Sequence, residues 1–423
     1  MEYFGTDGIR GIVNKDLTPS LLKRLAKALV IYYKKHSLQK RILVGNDSRA
    51  SSDYILSTMA SVLLKYGISV DIVGTCSSPC LAYLTQKHAY PLGMMISASH
   101  NSHEYNGVKF FNLDGEKINE EAEQELESYF NKRINQAVQF AKQTDKRKLK
   151  DEYINFLKQI KQNHLPCIID CANGGANKII KQVFDNAKYI NATPNGENIN
   201  KNAGCTSIEM LKSVCVREGK IGFAVDGDAD RLNIVTPTGE VVKGDKILYI
   251  LARQFLKKDD VVVGTIYSNS GLEECLKKLK IILVRAGVGD KLVYEKMCEN
   301  LSLIGGENAG HIIVRKYLNT GDGVLTAILI LNILECNNCT IDDMLKQYTE
   351  HYQAETNIKI KSQFNLPNEV KTLINKYEEY GARIIIRPSG TEPVLRIMVE
   401  HEKEELAKIY LISIENCIKN TCF

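Results

Sequence analysis

No part of this 423-residue chain offers the roughly 20 consecutive apolar residues that a membrane-crossing helix needs. The longest apolar stretch, 324–334, is too short and is interrupted by Thr326 and Asn332. A secretory leader is missing too, since Met1 runs straight into Glu-Tyr-Phe-Gly-Thr-Asp-Gly, so a cytoplasmic protein with no membrane partner is expected. Neither sign of charge dominates, with 55 Lys and Arg against 50 Asp and Glu. A net charge of +5 is small for this length, which argues against a dedicated nucleic-acid binder but leaves room for local basic pockets facing anionic substrates. No Walker A sequence occurs, and Gly287-Val-Gly289 lacks the third glycine of a dinucleotide fingerprint. Cysteine is plentiful, 12 in all, but paired metal spacing is not: Cys336-Asn-Asn-Cys339 has no second CxxC and no paired histidines nearby. The thiols therefore read as reduced and ordinary.

What remains is an ordinary globular composition, 44% hydrophobic and 25% charged, on a chain longer than one core usually serves. Boundaries are expected at 1–150, 151–238, 239–347 and 348–423. Strand candidates at 41–47, 69–74 and 91–97 alternate with helices at 52–66 and near 80–87, a β-α-β-α-β order that predicts a largely parallel sheet. A polar segment at 119–162 reads as helix-prone, its basic cluster 146–150 as a solvated face. A second α/β unit has strands at 167–171 and 221–225 and a helix near 177–184. A third has strands at 261–265, 281–285 and 301–304. The tail differs, with a helix at 368–379, strands at 382–387 and 395–400 and a terminal helix.

Chemistry concentrates in loops that follow these strands, where ligands of α/β sheets bind. After the apolar run 221–225 comes Asp226-Gly-Asp-Ala-Asp-Arg231. Gly227 and Ala229 let the backbone curl so that three carboxylates converge, and hard oxygens in that number favour Mg²⁺ or Ca²⁺ over zinc. An EF-hand loop fails on position, because its sixth residue would be Arg231 and its twelfth Pro237. A solvated acidic turn is the plain alternative. Ser97-Ala-Ser-His-Asn101 is not a hydrolase nucleophile elbow, having no glycine at 97 or 101. Beside a metal loop, however, a phosphorylated Ser99 could fill a coordination position. Arg387-Pro-Ser-Gly-Thr-Glu-Pro393, with Arg396 in the next strand, has the composition of a phosphate cradle or of a simple turn. His311 and Lys109 are candidates for proton handling.

Five motifs in order resemble the α-D-phosphohexomutases along essentially the whole chain: Phe4-Gly-Thr-Asp-Gly-Ile-Arg-Gly11, the serine loop, the acidic loop, Gly306-Glu-Asn-Ala-Gly-His311 and the 387–393 loop. Asn106-Gly-Val-Lys-Phe-Phe111, Val288-Gly-Asp290 and Thr320-Gly-Asp-Gly323 look most similar to the branch acting on glucosamine phosphates. The resemblance implies three similar α/β mixed-sheet domains plus a C-terminal α+β domain, heart-shaped around a central cleft, and a homodimer. It implies that Ser99 is the phosphoserine and that its phosphate, with Asp226, Asp228 and Asp230, holds one Mg²⁺. Glu307 and Asn308 would bind the sugar, while Arg387, Ser389, Gly390, Thr391 and Arg396 would hold the non-reacting phosphate. His100, Lys109, His311, Arg10 and Arg231 would assist transfer, and a sugar 1,6-bisphosphate would be intermediate and activator. The same family includes glucose and mannose phosphate mutases, and a silent phosphosugar-binding protein is the reading from another class. Two departures stand out: Ser102 where the family usually has proline, which would loosen the serine loop, and Ala309 where it usually has serine, which bears on sugar selectivity.

Overall fold

Apolar strands alternating with amphipathic helices build four sheets in chain order. The computed structural model describes residues 2–135, 137–360, 365–388 and 393–422. The described chain divides into two compact units, one of 1–267 with 281–346 and one of 268–280 with 347–423.

The first sheet of unit one has six strands in the order Ile9–Ile12, Tyr105–Phe111, Gly93–Ile96, Arg41–Asn46, Ser69–Thr75 and Gln143–Asp145. The expected parallel core is present, because Arg41–Asn46 pairs in parallel with both Ser69–Thr75 and Gly93–Ile96. The sheet is nevertheless mixed. Tyr105–Phe111 returns antiparallel to Gly93–Ile96 and carries Ile9–Ile12 on its other edge, which sets Lys109 opposite Met95 and Arg10 opposite Gly107. Helix Pro19–Lys35, capped by the Thr18 hydroxyl, buries Leu22, Leu25 and Leu29 in the same core as Ile42, Val44 and Phe110.

The second sheet runs Val241–Val242, Leu232–Val235, Gly222–Val225, Cys167–Asp170, Ala187–Ile190, and the third Ile282–Ala286, Val261–Thr265, Ile304–Gly306, Ile312–Val314. In both, a central strand turns back on itself. Val225 pairs with Leu232 and Gly306 with Ile312, so the acidic loop and the Glu307–His311 loop are tips of antiparallel hairpins. The serine loop joins Gly93–Ile96 to Tyr105–Phe111 in the same manner. Helix Gly323–Cys336 explains the apolar stretch near 324–334. It is buried on almost every side and capped by Asp322. Among the described residues no helix is long and apolar enough to cross a membrane.

Unit two contains an antiparallel sheet, Tyr352–Lys359, Val394–His401, Arg383–Pro388, with helices Asn368–Glu379 and Glu404–Cys422. Val370, Leu395, Ile397, Val399, Ile414 and Ile418 form its core.

One sequence expectation is sharpened and one needs correction. Within the helix-prone 119–162 segment the helices are Glu120–Ser128 and Lys150–Ile160, with the short strand Gln143–Asp145 and a 3₁₀ turn Arg147–Leu149 between them. Tyr129 and Phe130 are buried just where the first helix ends, and Asp145 ties Arg147 through both backbone and guanidinium. The strand expected at 301–304 begins at Ile304. Leu301 sits at φ 52° and is 84% exposed, and the Ser302 hydroxyl binds the carbonyls of Val261 and Ile304, so the chain turns there instead.

Candidate active site

The serine loop is shaped by one buried guanidinium. Arg49, paired with Asp47 at 2.9 Å, donates to the carbonyls of Ser99 (3.0 Å), Asn101 (2.8 Å), Tyr105 (2.8 Å) and Ser102. Asn200 adds bonds to the carbonyls of Ser99 and Asn101 at 2.8 and 2.9 Å. The Asp47 carboxylate also accepts from the Ser97 hydroxyl, whose oxygen accepts from the Ser99 N–H. These bonds hold Ser99 at φ 48°, a conformation unusual for a residue with a side chain.

The acidic hairpin tip packs directly on this loop. A Cβ on Gly227 would lie 2.6 Å from the Ser99 carbonyl, and one on Gly174 would lie 2.4 Å from the Gly227 carbonyl. Close approach thus requires glycine at both positions. The result is that the Ser99 hydroxyl donates to Asp226 Oδ2 at 2.5 Å. Asp226, Asp228 and Asp230 are all buried, with carboxylate oxygens within 4.8 Å of one another.

Three buried carboxylates this close need positive charge. Lys109 supplies part of it, its Nζ lying 2.7 Å from Asp228 and 3.1 Å from Asp230. Burial, with like charge from Asp230 and Asp228, pushes the Asp226 carboxyl up to about 7. Burial and Asp230 also raise Asp228, but Lys109 outweighs them and leaves it below its ordinary value. For Asp230, burial is outweighed by Lys109 and His311, and its carboxyl falls well below the usual range. Burial alone would lower Lys109, yet the aspartates push it up to about 12, so it stays an ammonium. Oδ1 of Asp228 and Oδ1 of Asp230 remain buried without a hydrogen bond, acceptors that suit a hard cation.

His100, Arg231, Arg10 and His311 lie around this centre. His100 Nδ1 lies 3.4 Å from the Ser99 hydroxyl. Burial, then Arg231 and Arg10, pushes that imidazole down to about 4, so it is neutral at pH 7. The Arg231 N–H binds Asp226, and Arg10 pairs with Asp7. His311 lies 3.7 Å from Asp230 through Nδ1, while its Nε2 accepts the Gly321 N–H at 3.0 Å. Nε2 also lies 3.5 Å from Asp290, so the ring stands between two carboxylates. Glu307 accepts the Gly289 N–H at 3.0 Å, Asn308 binds the start of helix Gly244–Phe255 through its backbone and side chain, and Ala309 is exposed. In unit two, Arg387 and Arg396 face each other across the Arg383–Pro388 and Val394–His401 pair. Ser389, Gly390 and Thr391 lie outside the described residues.

Sequence reading missed Asp47, Arg49, Asn200, Ser78, Asp7, Lys117 and Asp290. Ser78 donates to Asp228 through its hydroxyl, and Lys117 links Asp7 to Asp290. Only Asp7 and Asp290 carried a signal, each inside a quoted motif. The rest stand in unremarkable sequence.

Three segments match descriptions of one family: phosphoglucomutase/phosphomannomutase alpha/beta/alpha domain I over 1–137, domain III over 243–352 and the C-terminal domain over 340–410. The chain is 37% identical over 430 residues to the phosphoglucosamine mutase of Alkaliphilus oremlandii, covering 96% of each chain. Its fold resembles a phosphoglucomutase/phosphomannomutase family protein of Burkholderia thailandensis, with a TM-score of 0.80 at 19% identity over 98% of this chain and 97% of that one. It also resembles the N-acetylphosphoglucosamine mutase of Aspergillus fumigatus, whose structure is a complex with GlcNAc-6P and magnesium, with a TM-score of 0.71 at 16% identity over 99% and 95%.

Proposed function

The chain belongs to the phosphoglucomutase/phosphomannomutase family, and from that membership we propose that it interconverts glucosamine 6-phosphate and glucosamine 1-phosphate. The observation that carries the reading is the Ser99 hydroxyl held against Asp226 inside a buried three-aspartate cluster. A phosphorylated Ser99 transfers its phosphoryl group to O1 of the 6-phosphate, giving a 1,6-bisphosphate and a free serine. The bisphosphate turns around, Ser99 attacks the phosphorus at O6, and the 1-phosphate leaves with the enzyme phosphorylated again. Loss of this phosphate is repaired by the sugar 1,6-bisphosphate, which acts as activator.

Such transfer depends on positioning and charge rather than on covalent chemistry by many groups. The proton leaving Ser99 has two acceptors at hand, Asp226 Oδ2 and the neutral His100 Nδ1. Lys109, Arg10 and Arg231 counter the charge of the transferring group, and His311 steadies Asp230. Asp226, Asp228 and Asp230 fit a single Mg²⁺ beside the phosphoserine; once bound, it would supply further positive charge to the phosphoryl oxygens. Glu307 and Asn308 take the sugar hydroxyls. Arg387, Ser389, Gly390, Thr391 and Arg396 take the phosphate that is not reacting. In this reading each of four domains, at 1–150, 151–238, 239–347 and 348–423, contributes one loop.

Ala309 supports a second reading, a mutase of glucose or mannose phosphates, because its exposed methyl group offers no hydroxyl. Kinetics with the 6-phosphates of glucosamine, glucose and mannose separate the two. Glucosamine 6-phosphate is expected to have the largest kcat/KM, by about 10-fold or more. A preference for either neutral sugar would replace the first reading with the second.

A further inference from the structure

A second cluster of metal-ligand type lies in unit two, among residues with no part in phosphoryl transfer. Glu274, on helix Ser270–Lys278, His351, just before strand Tyr352–Lys359, and Glu402, just after strand Val394–His401, bring one ligand atom each within 4.8 Å of the others. The strand register explains part of this. Tyr352 pairs with His401, so His351 and Glu402 emerge side by side at one end of the ladder.

The helix is fixed against that end by its own cap. Asn269 accepts the N–H of Gly271 and of His351 and donates to the His351 carbonyl at 2.8 Å. A Cβ on Gly271 would lie 1.9 Å from the Thr349 carbonyl, so helix and segment are in direct backbone contact. Cys275 is not part of the donor set, its sulfur being taken up by Thr349 and Gln347.

His351 supplies the independent observation. Its side chain is only 8% exposed, yet Nε2 is buried with no hydrogen bond. Glu274 Oε1 stands 3.3 Å away, in range for charge but not hydrogen bonded. The neighbouring histidine is the useful contrast. In His401 one ring nitrogen binds the Tyr380 carbonyl and the other accepts the Lys403 N–H. Buried imidazole nitrogens normally find a partner, and this one faces the Glu274 carboxylate without a hydrogen bond.

We propose that Glu274, His351 and Glu402 form a second divalent-metal site, specific for borderline ions of the zinc class and distinct from the three-aspartate centre. One imidazole nitrogen and two carboxylate oxygens are a zinc, cobalt or manganese donor set; magnesium disfavours the nitrogen. The two exposed glutamates leave the remaining positions to water. Bound there, the ion ties helix Ser270–Lys278 to the end of the unit-two sheet.

The test uses the full-length protein, stripped of metal and then given excess Mg²⁺ to fill the aspartate site. Co²⁺ is titrated as the optical probe and Zn²⁺ as the competitor. Expected are d–d absorption bands saturating at one equivalent, without thiolate charge transfer, and bleached by Zn²⁺. Glu274→Gln and Glu402→Gln, both at exposed positions, should each weaken Co²⁺ binding by about 100-fold, at least the cost of losing an outer-shell partner. Both should keep wild-type mutase turnover. His351→Gln should abolish the signal while the far-ultraviolet spectrum is retained. Bands with strong thiolate charge transfer, unchanged affinity in the Glu274→Gln/Glu402→Gln double variant, or no Co²⁺ signal in the wild type would each overturn the proposal.

Discussion

Ser99 Oγ and Asp226 Oδ2 meet at 2.5 Å although 127 positions separate them in the chain. Neither loop could make this contact alone. The serine loop is the tip of one hairpin and the acidic loop the tip of another, pressed together where Gly227 has no side chain. If the hydroxyl is the phosphoryl carrier, Ser99→Ala should lower turnover by about four orders of magnitude or more, as loss of a covalent nucleophile does elsewhere. Intact-mass analysis should find one phosphoryl group on the wild type and none on the variant. Normal turnover by the alanine protein in a coupled assay would remove the mechanism.

Asp228 is held by Lys109 and by the Ser78 hydroxyl, while its Oδ1 is buried without a hydrogen bond. Asp228→Asn keeps the shape but removes a charge. The Mg²⁺ concentration for half-maximal activity should rise by about 10–100-fold, with partial recovery in excess Mg²⁺. A Mg²⁺ titration in the activity assay checks this, and an unchanged midpoint would place the cation elsewhere.

Arg49 makes no contact with a reacting atom, yet it holds four carbonyls of the serine loop. Arg49→Ala would leave Asp47 buried without its cation, a loss of about 3–5 kcal/mol. Arg49→Lys keeps the charge but not the fork geometry. The lysine protein should therefore recover part of the stability in urea denaturation while kcat stays low, since displacement by about 1 Å can cost 10²-fold. Equal recovery of both would make Arg49 a plain structural ion pair.

These residues also show what the sequence could and could not convey. The acidic loop, the serine loop and the Glu307–His311 loop were legible because each directly follows an apolar strand, and strand periodicity is local. Helix Asn368–Glu379 was legible because helical spacing of apolar residues is local as well. Arg49 and Asn200 were not, since their partners lie up to 101 positions away and neither sits in a patterned stretch. Strand Tyr352–Lys359 escaped notice because it is an edge strand, mostly polar and largely exposed, and owes its existence to pairing with Val394–His401. The mixed character of the first sheet came only with the family resemblance, because nothing in the sequence of Tyr105–Phe111 itself gives its direction.

Asp322 offers a test of the electrostatics beside the acidic loop, since Asp230 is among the groups that raise it. It caps helix Gly323–Cys336 by accepting the Leu325 N–H at 2.9 Å, and it accepts the Tyr153 hydroxyl at 2.6 Å. Burial outweighs both bonds and pushes its carboxyl up to about 6. Between pH about 4 and 6 the folded protein therefore holds a proton that the unfolded chain has released. Stability contributed by this group falls as pH rises through that window and stays reduced above it. Asp322→Asn keeps an acceptor for the cap and removes the charge, while Tyr153 can turn its hydroxyl toward Ser77. Urea denaturation should find the variant more stable at pH 7 by about 1–3 kcal/mol, the cost expected of a shift near two pH units at a buried carboxyl. The difference should shrink as pH falls from 6 to 4 and close below about pH 4, where the wild-type carboxyl is protonated in both the fold and the unfolded chain. An asparagine protein that is weaker at pH 7, or that keeps the wild-type slope between pH 4 and 6, would show that the buried charge is compensated by partners other than Leu325 and Tyr153.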